Sequence, residues 1–269
     1  MFIGLAVTFL FFFGIYIFMI APEKRREMKR FTRTKYAHRG LHNEERAENS
    51  MSAFLAAAEA GYGIELDVHL SRDGKLVVFH DKTLNRICGV NGHVSDFTAK
   101  ELSRLSLSGT GEGIPLFSDV LAAIDGRVPL LIEIKEETTK TDVAAAVCNM
   151  LKSYKGEYII ESFNPFSLRT VKKRMPNVCR GILSTKYFTF KKLDSAKFLL
   201  LQLLMANFLC RPAFVAYDHT HANAISLKII RALFGVPTLA WTVRSREEEV
   251  NAYNNGFDAI IFENYLPKP

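Results

Sequence analysis

The sequence predicts an α/β fold, a TIM (β/α)8-type barrel preceded by one N-terminal transmembrane helix. Three observations predict it. Short apolar runs alternate with helix-like stretches over most of the 269 residues, as parallel strands with outer helices require. Nine such runs occur, and two neighbours are joined only by a turn, which leaves eight for a closed barrel. The chain also begins with a charge-free apolar stretch about as long as a bilayer is thick.

That stretch, Phe2 to Ile20, would span about 28 Å as a helix. No Lys or Arg precedes it and bulky residues fill the place of a cleavage site, which argues against a removable signal. The absence of a polar stripe argues against a core helix. Residues 1–20 are therefore read as the transmembrane helix and residues 21–33 as a basic juxtamembrane linker. Lys24, Arg25, Arg26, Lys29, Arg30, Arg33 and Lys35 face only Glu23 and Glu27 there. The positive flank predicts a single-pass membrane protein with its domain on the cytoplasmic side. Outside this cluster the chain is near neutral although formal net charge is +7, so no nucleic-acid partner is implied. Cys88, Cys148, Cys179 and Cys210 are far apart and suggest neither disulfides nor zinc.

Residues 34–269 carry the barrel. Its runs are Tyr36 to His38, Ile64 to Val68, Leu76 to Phe79, Leu130 to Ile134, Tyr158 to Ser162, Cys179 to Leu183, Phe214 to Tyr217, Thr238 to Val243 and Ala259 to Phe262. Helices are expected over Ser50 to Ala60, Asp142 to Tyr154, Ser167 to Met175, Ala224 to Phe234 and Glu247 to Asn254. Between Val68 and Leu76 lies an Asp73-Gly74 turn, too short for a parallel crossover, so the third run should lie antiparallel on the second. Pairing Ser71 with Leu76 would set His69 opposite Val78 and Asp67 opposite His80. Residues 82–118 read as an irregular excursion over one end of the barrel. The apolar run Phe198 to Cys210 is too short to span a bilayer. Lys186, Lys191, Lys192 and Lys197, with Tyr187, Phe188 and Phe190 among them, suggest that 198–210 is a helix touching the lipid interface, the alternative being an ordinary barrel helix.

Chemistry concentrates at the strand ends. Glu65 and Asp67 share one face of an apolar strand, and buried carboxylates need a cation or a basic partner. Oxygen donors favour Ca2+ or Mg2+. Glu133 repeats the situation, with Lys135 facing the same way; a buried Glu133–Lys135 ion pair is the competing reading. His38 and Arg39 follow the first strand, where a barrel builds its active site, and Arg39 can grip two phosphate oxygens. His80 sits alike before Asp81. Two imidazoles, an arginine and a carboxylate cluster suit metal-assisted attack on a phosphodiester. Of the other histidines, His69 falls on the metal face, His42 and His93 are expected in solvent, and His219 and His221 in a surface loop. Trp241 is expected to wall the pocket or to belong to the core.

In order, His38-Arg39-Gly40, Glu48-Asn49-Ser50, Glu65-x-Asp67, His80-Asp81, Glu133-x-Lys135, Ser162-Phe163 and Trp241-Thr242-Val243 resemble the glycerophosphodiester phosphodiesterases over nearly everything from Tyr36 onward. The resemblance implies a barrel of the PLC-like phosphodiesterase kind and one Ca2+ or Mg2+ on Glu65, Asp67 and Glu133. It implies His38 and His80 as acid and base, and phosphate contacts from Arg39 and Lys135. Glu48, Asn49 and Trp241 are further candidates for substrate binding. Products would be sn-glycerol 3-phosphate and an alcohol. Ala47 stands where the family has proline, and Glu263-Asn264 where it has Thr-Asp, which puts a polar contact in question. Two alternatives remain: lysophospholipase D-type cleavage of lysophospholipid headgroups at the bilayer, and a non-catalytic membrane-bound lipid-binding module.

Overall fold

The structure is a computed structural model that describes residues 2–187 and 196–268. Phe188, Phe190, Lys191 and Lys192, invoked above for the lipid interface, lie outside the described residues. The elements run α1 (Phe2–Ile20), α2 (Met28–Phe31), β1 (Tyr36–Ala37), α3 (Met51–Glu59), β2 (Gly63–Leu70), β3 (Leu76–Val78), α4 (Asn85–Cys88), α5 (Ala99–Leu102), α6 (Phe117–Ile124), β4 (Leu130–Ile134) and α7 (Asp142–Leu151). They continue as β5 (Tyr158–Ser162), α8 (Pro165–Arg174), β6 (Arg180–Ser184), α9 (Ala196–Gln202), α10 (Asn207–Cys210), β7 (Phe214–Asp218), α11 (Ile225–Phe234), β8 (Thr238–Val243), α12 (Arg246–Asn254) and β9 (Ala259–Phe262).

Eight parallel strands close a barrel, because β1 pairs with both β2 and β9. β3 lies antiparallel on β2, as the short turn requires. The register differs from the expectation by one residue: His69 pairs with Val77 and Val68 with Val78. The turn closes one residue earlier, with the Ser71 amide donating to Lys75 O at 2.9 Å and Gly74 left-handed at φ +70°. That is a three-residue loop ending in a left-handed glycine. Phe79, not His80, therefore stands opposite Asp67, and His80 lies beyond the end of β3.

Alternation builds two apolar layers. Ile64, Leu66, Val68, Ile132, Ile160 and Val215 face outward against Phe54, Phe117, Val147, Leu168 and Leu227. Leu131, Ile159, Phe214, Leu239 and Ile261 fill the lower interior, with Met28 and Phe31 packed against them. Residues 21–33, expected as a linker, thus include a short helix that plugs the barrel's lower end. Their basic residues are partly consumed: Arg30 pairs with Glu157 at 2.8 Å, and Glu23 holds both Arg25 and the fully buried Arg180. Replacing Glu23 with alanine leaves Arg180 to the carbonyls of Cys210 and Arg211. A loss of about 1–3 kcal/mol is expected, since a buried charge loses its partner. Urea titration in detergent measures it; an unchanged midpoint would contradict the pairing.

Several helices depart from the expectation, α4 and α5 lying wholly within the excursion 82–118. α6 lies inside and beyond the presumed irregular excursion; it is short, and its N-cap Leu116 offers no side-chain acceptor, so it carries no start signal. The apolar run 198–210 is two helices. Leu204 turns left-handed at φ +58°, with its amide on Leu201 O and that of Met205 on Leu200 O, a Schellman-type stop. Leucine occupies the position glycine would favour, and its side chain is buried in the core.

Candidate active site

The rim where the parallel strands end is lined with charge. β1 delivers His38, whose amide donates to Phe262 O at 2.8 Å. The chain then turns sharply: Arg39 has φ +55° and Gly40 φ +81°. A Cβ on Gly40 would lie 2.8 Å from the Ala53 backbone, so only glycine fits. The turn aims the Arg39 amide at Glu65 Oε2 (2.8 Å) and its guanidinium at Glu48 Oε1 (2.8 Å). Arg39 Nε is buried 3.6 Å from Asp67 Oδ2 and makes no hydrogen bond in the protein.

β2 sends Glu65 and Asp67 inward, and the register sets Glu133 of β4 beside Asp67. Oxygens of all three buried carboxylates lie within 4.8 Å of one another. Lys135 Nζ lies 2.9 Å from Glu133 Oε1 and 3.0 Å from Asp67 Oδ1, so the ion pair weighed from sequence is present and extends to Asp67. Asn49, left-handed at φ +56°, donates Nδ2 to Asp67 Oδ2 at 2.8 Å. Glu48 and Asn49, expected at the substrate, are thus engaged in orienting Arg39 and Asp67.

Each imidazole has one nitrogen held by a carboxylate. His38 Nδ1 donates to Glu263 Oε2 at 2.6 Å, and His80 Nδ1 to Asp81 Oδ1 at 2.6 Å. The contact placed in question by Glu263 is therefore made, and Arg244 Nε steadies it at 2.7 Å. Arg86 ties the two sides together, reaching Asp81 Oδ2 at 2.7 Å and Glu48 Oε2 at 2.8 Å. His80 O accepts from His69 Nε2 at 3.1 Å.

Burial dominates the electrostatics. It lowers His38 to about 4 despite Glu263, and it lowers His80 despite Asp67. Burial would raise Asp67, but Lys135, His80 and Arg39 outweigh it and hold Asp67 well below the carboxylate range. Glu65 is pushed well above that range by burial and by Asp67 and Glu133. Burial raises Glu133 to about 7, against the pull of Lys135. Fully ionised, the three carboxylates outnumber the Arg39 and Lys135 cations beside them, and the donors are all oxygens, so the cluster fits a hard divalent cation.

A pH dependence follows. A carboxyl raised from 4.5 to about 7 in the folded state favours folding at low pH and loses that contribution as pH rises through this window. A bound cation removes the penalty. The gain in Tm on adding Ca2+ or Mg2+ to chelator-treated protein should therefore grow as pH rises through about 7. Thermal scans across this range measure it; a pH-independent gain would count against the cluster.

A cavity of about 640 Å³ opens from His80, Glu133 and Lys135 past His69 toward Thr138 and Lys140, walled by Val94, Ile134, Val143 and Phe163. The excursion 82–118 thus borders the site through Lys82, Val94 and Ser95. Trp241 meets Phe163 edge-on, ring centroids 5.6 Å apart, with its Nε1 buried and unpartnered.

Four residues at the site were not assigned from sequence. Glu161 sits in register with Glu133, fully buried, and is pushed well above the carboxylate range by burial and by Glu133. The reasoning that singled out Glu133 applies equally to it. Glu263 follows β9, the strand beside His38; Asp81 adjoins His80. Arg86 carries no local signal. His42, expected in solvent, is largely enclosed 3.7 Å from Glu263 Oε2. His93 is exposed. His219 and His221 hold the turn after β7, bonding Thr242 O (3.2 Å) and Asp218 Oδ2 (3.0 Å).

Comparison with known proteins gives a concordant result. Residues 38–265 match the Glycerophosphoryl diester phosphodiesterase family. A glycerophosphodiester phosphodiesterase of Caldanaerobacter subterraneus is 39% identical over 158 residues, 55% of this chain and 65% of that protein. Lysophospholipase D GDPD1 of Rattus norvegicus is 33% identical over 148 residues, 50% of this chain and 46% of that protein. An Oleispira antarctica phosphodiesterase, solved with its product sn-glycerol-3-phosphate, superposes with a TM-score of 0.71 at 26% identity, covering 87% of this chain and 94% of that one. The chain belongs to the glycerophosphoryl diester phosphodiesterase family.

Proposed function

We propose that the protein hydrolyses glycerophosphodiesters to sn-glycerol 3-phosphate and an alcohol at a membrane surface. The observation that carries this reading is the pair of carboxylate-held imidazoles, His38 with Glu263 and His80 with Asp81, beside the Glu65–Asp67–Glu133 cluster. Those three carboxylates would hold one Ca2+ or Mg2+, which when bound neutralises phosphate charge and polarises the P–O bonds. Arg39, through its unpartnered Nε, and Lys135 bind the remaining phosphate oxygens.

His38 acts as the base. Burial keeps it neutral at physiological pH, and Glu263 fixes the Nδ1–H tautomer, so Nε2 can accept a proton from the attacking hydroxyl. His80, the more exposed of the two, acts as the acid: Asp81 holds its Nδ1–H, so it is the imidazolium form, with a second proton on Nε2, that protonates the leaving alkoxide. Trp241 and Phe163 flank the glycerol carbons.

Lysophospholipids are a second substrate class. The apolar lining of Val94, Ile134, Val143 and Phe163 favours it, as does the similarity to a lysophospholipase D. α1 is read as a bilayer span, with the basic residues after it keeping the barrel on the cytoplasmic side. Comparing glycerophosphocholine with lysophosphatidylcholine separates the substrate classes. Release of glycerol 3-phosphate from the first is the expected outcome; inertness toward both would sink the proposal.

A further inference from the structure

We infer that α9 and α10, which precede β7, lie in the interfacial layer of the bilayer beside α1 and hold the barrel with the site's rim on the membrane side. The inference rests on reading α1 as a bilayer span.

The first support is length. The nineteen residues of α1 span about 28 Å, against a hydrocarbon core of about 30 Å, so α1 has no residue to spare. Yet its last turn is not free. Asn207 Nδ2 donates to Ile20 O at 3.3 Å, Arg211 Nη1 donates to Phe18 O at 2.7 Å and to Ala21 O at 3.0 Å, and Tyr16 donates its hydroxyl to Leu203 O at 3.3 Å. The Arg211 guanidinium also stacks over the Phe18 ring at 4.6 Å. If all of α1 is in the membrane, whatever grips Tyr16 to Ile20 lies at the same depth, within about 6 Å of the helix end.

The second support is the surface presented there. Leu199, Leu200 and Phe208 are each 41% exposed, and α10, which carries Phe208, packs against α1. Lys197 opens α9 with its ammonium 5.6 Å above the Phe198 ring, the amphipathic combination suited to a headgroup layer.

The third is direction. Glu23 N donates to Pro212 O, below the start of β7, while Ile20 meets Asn207 and Tyr16 meets Leu203. Leu201 O in turn accepts from Ser184 at the upper end of β6. Contacts therefore climb from the lower to the upper end of the barrel as α1 is followed toward Phe2. That end leaves on the side where the strands end and the site opens.

Spin labels on the full chain in phosphatidylcholine/phosphatidylglycerol vesicles test this, with Cys88→Ser as background. Labels are placed by Leu200→Cys and Phe208→Cys, with Phe9→Cys on α1 and Asp119→Cys on α6 as references. Labels at 200 and 208 should collide severalfold more with oxygen than with a water-soluble nickel chelate, as at 9 and opposite to 119. If 9 is lipid-exposed but 200 and 208 favour nickel, the inference fails while the span survives. If 200 and 208 are shielded from both probes, a protein surface such as a second copy covers the flank, and the inference fails. If 9 favours nickel, the span reading itself fails and takes the inference with it. As a second readout, Leu199→Asp with Leu200→Asp should lower turnover of vesicle-bound lysophosphatidylcholine severalfold and leave soluble glycerophosphocholine turnover unchanged. Equal loss on both substrates would contradict a lipid-docking role.

Discussion

Alanine at His80 is expected to lower turnover of glycerophosphocholine by about 10²–10⁴-fold, the size of a general acid–base contribution. The choline alkoxide is a poor leaving group and needs the proton that His80 supplies. A substrate carrying p-nitrophenol in place of choline leaves without a proton, so His80→Ala should cost much less on it. His38→Ala should cost a similar factor on both substrates, because the attacking hydroxyl must lose its proton either way. Glu263→Gln separates orientation from chemistry: Nδ1 of His38 loses its charged acceptor at 2.6 Å, and the pH–rate profile should move while the fold is retained. Equal losses on both leaving groups for His80→Ala would reverse the assignment of acid and base.

Asp67→Asn carries the second large effect. Asp67 is fully buried and touches Lys135, Asn49 and Arg39 at 3.0, 2.8 and 3.6 Å. Neutralising it takes one of three negative charges from the ligand set and leaves two cations short of an anion. Several kcal/mol of charge stabilisation are at stake, and each 1.4 kcal/mol is tenfold, so kcat/KM should fall by about 10³. The Tm gain on adding Ca2+ or Mg2+ should vanish in this variant and persist in His80→Ala. A preserved cation shift in Asp67→Asn would remove this residue from the proposed ligand set.

Much of this arrangement was legible from one chain. The Asp73-Gly74 turn identified β3 as the antiparallel strand and left eight strands for the barrel, because turn length alone forbids a crossover. Alternation put Glu65 and Asp67 on one face, and the motif order brought in Glu133 and Lys135 from a neighbouring strand. The one-residue register error arose because a left-handed glycine shortens the loop, which composition does not reveal. Glu263 was seen only as a departure from a pattern, since its partner His38 lies 225 residues away. Arg86 is invisible for the same reason: its role exists only once Glu48 and Asp81 are brought together. The break at Leu204 escaped notice because leucine is not the residue expected in a left-handed turn; the two Schellman-type hydrogen bonds and the burial of its side chain go together there.

The most direct measurement is a phosphorus NMR time course on glycerophosphocholine with the detergent-solubilised full chain, run with Ca2+, with Mg2+ and with chelator. The expected result is conversion of the diester signal to that of glycerol 3-phosphate with a divalent cation, and arrest on chelation. A diester signal that persists under every cation condition, or conversion that proceeds unchanged in chelator, would contradict a cation-assisted phosphodiesterase built on Glu65, Asp67 and Glu133.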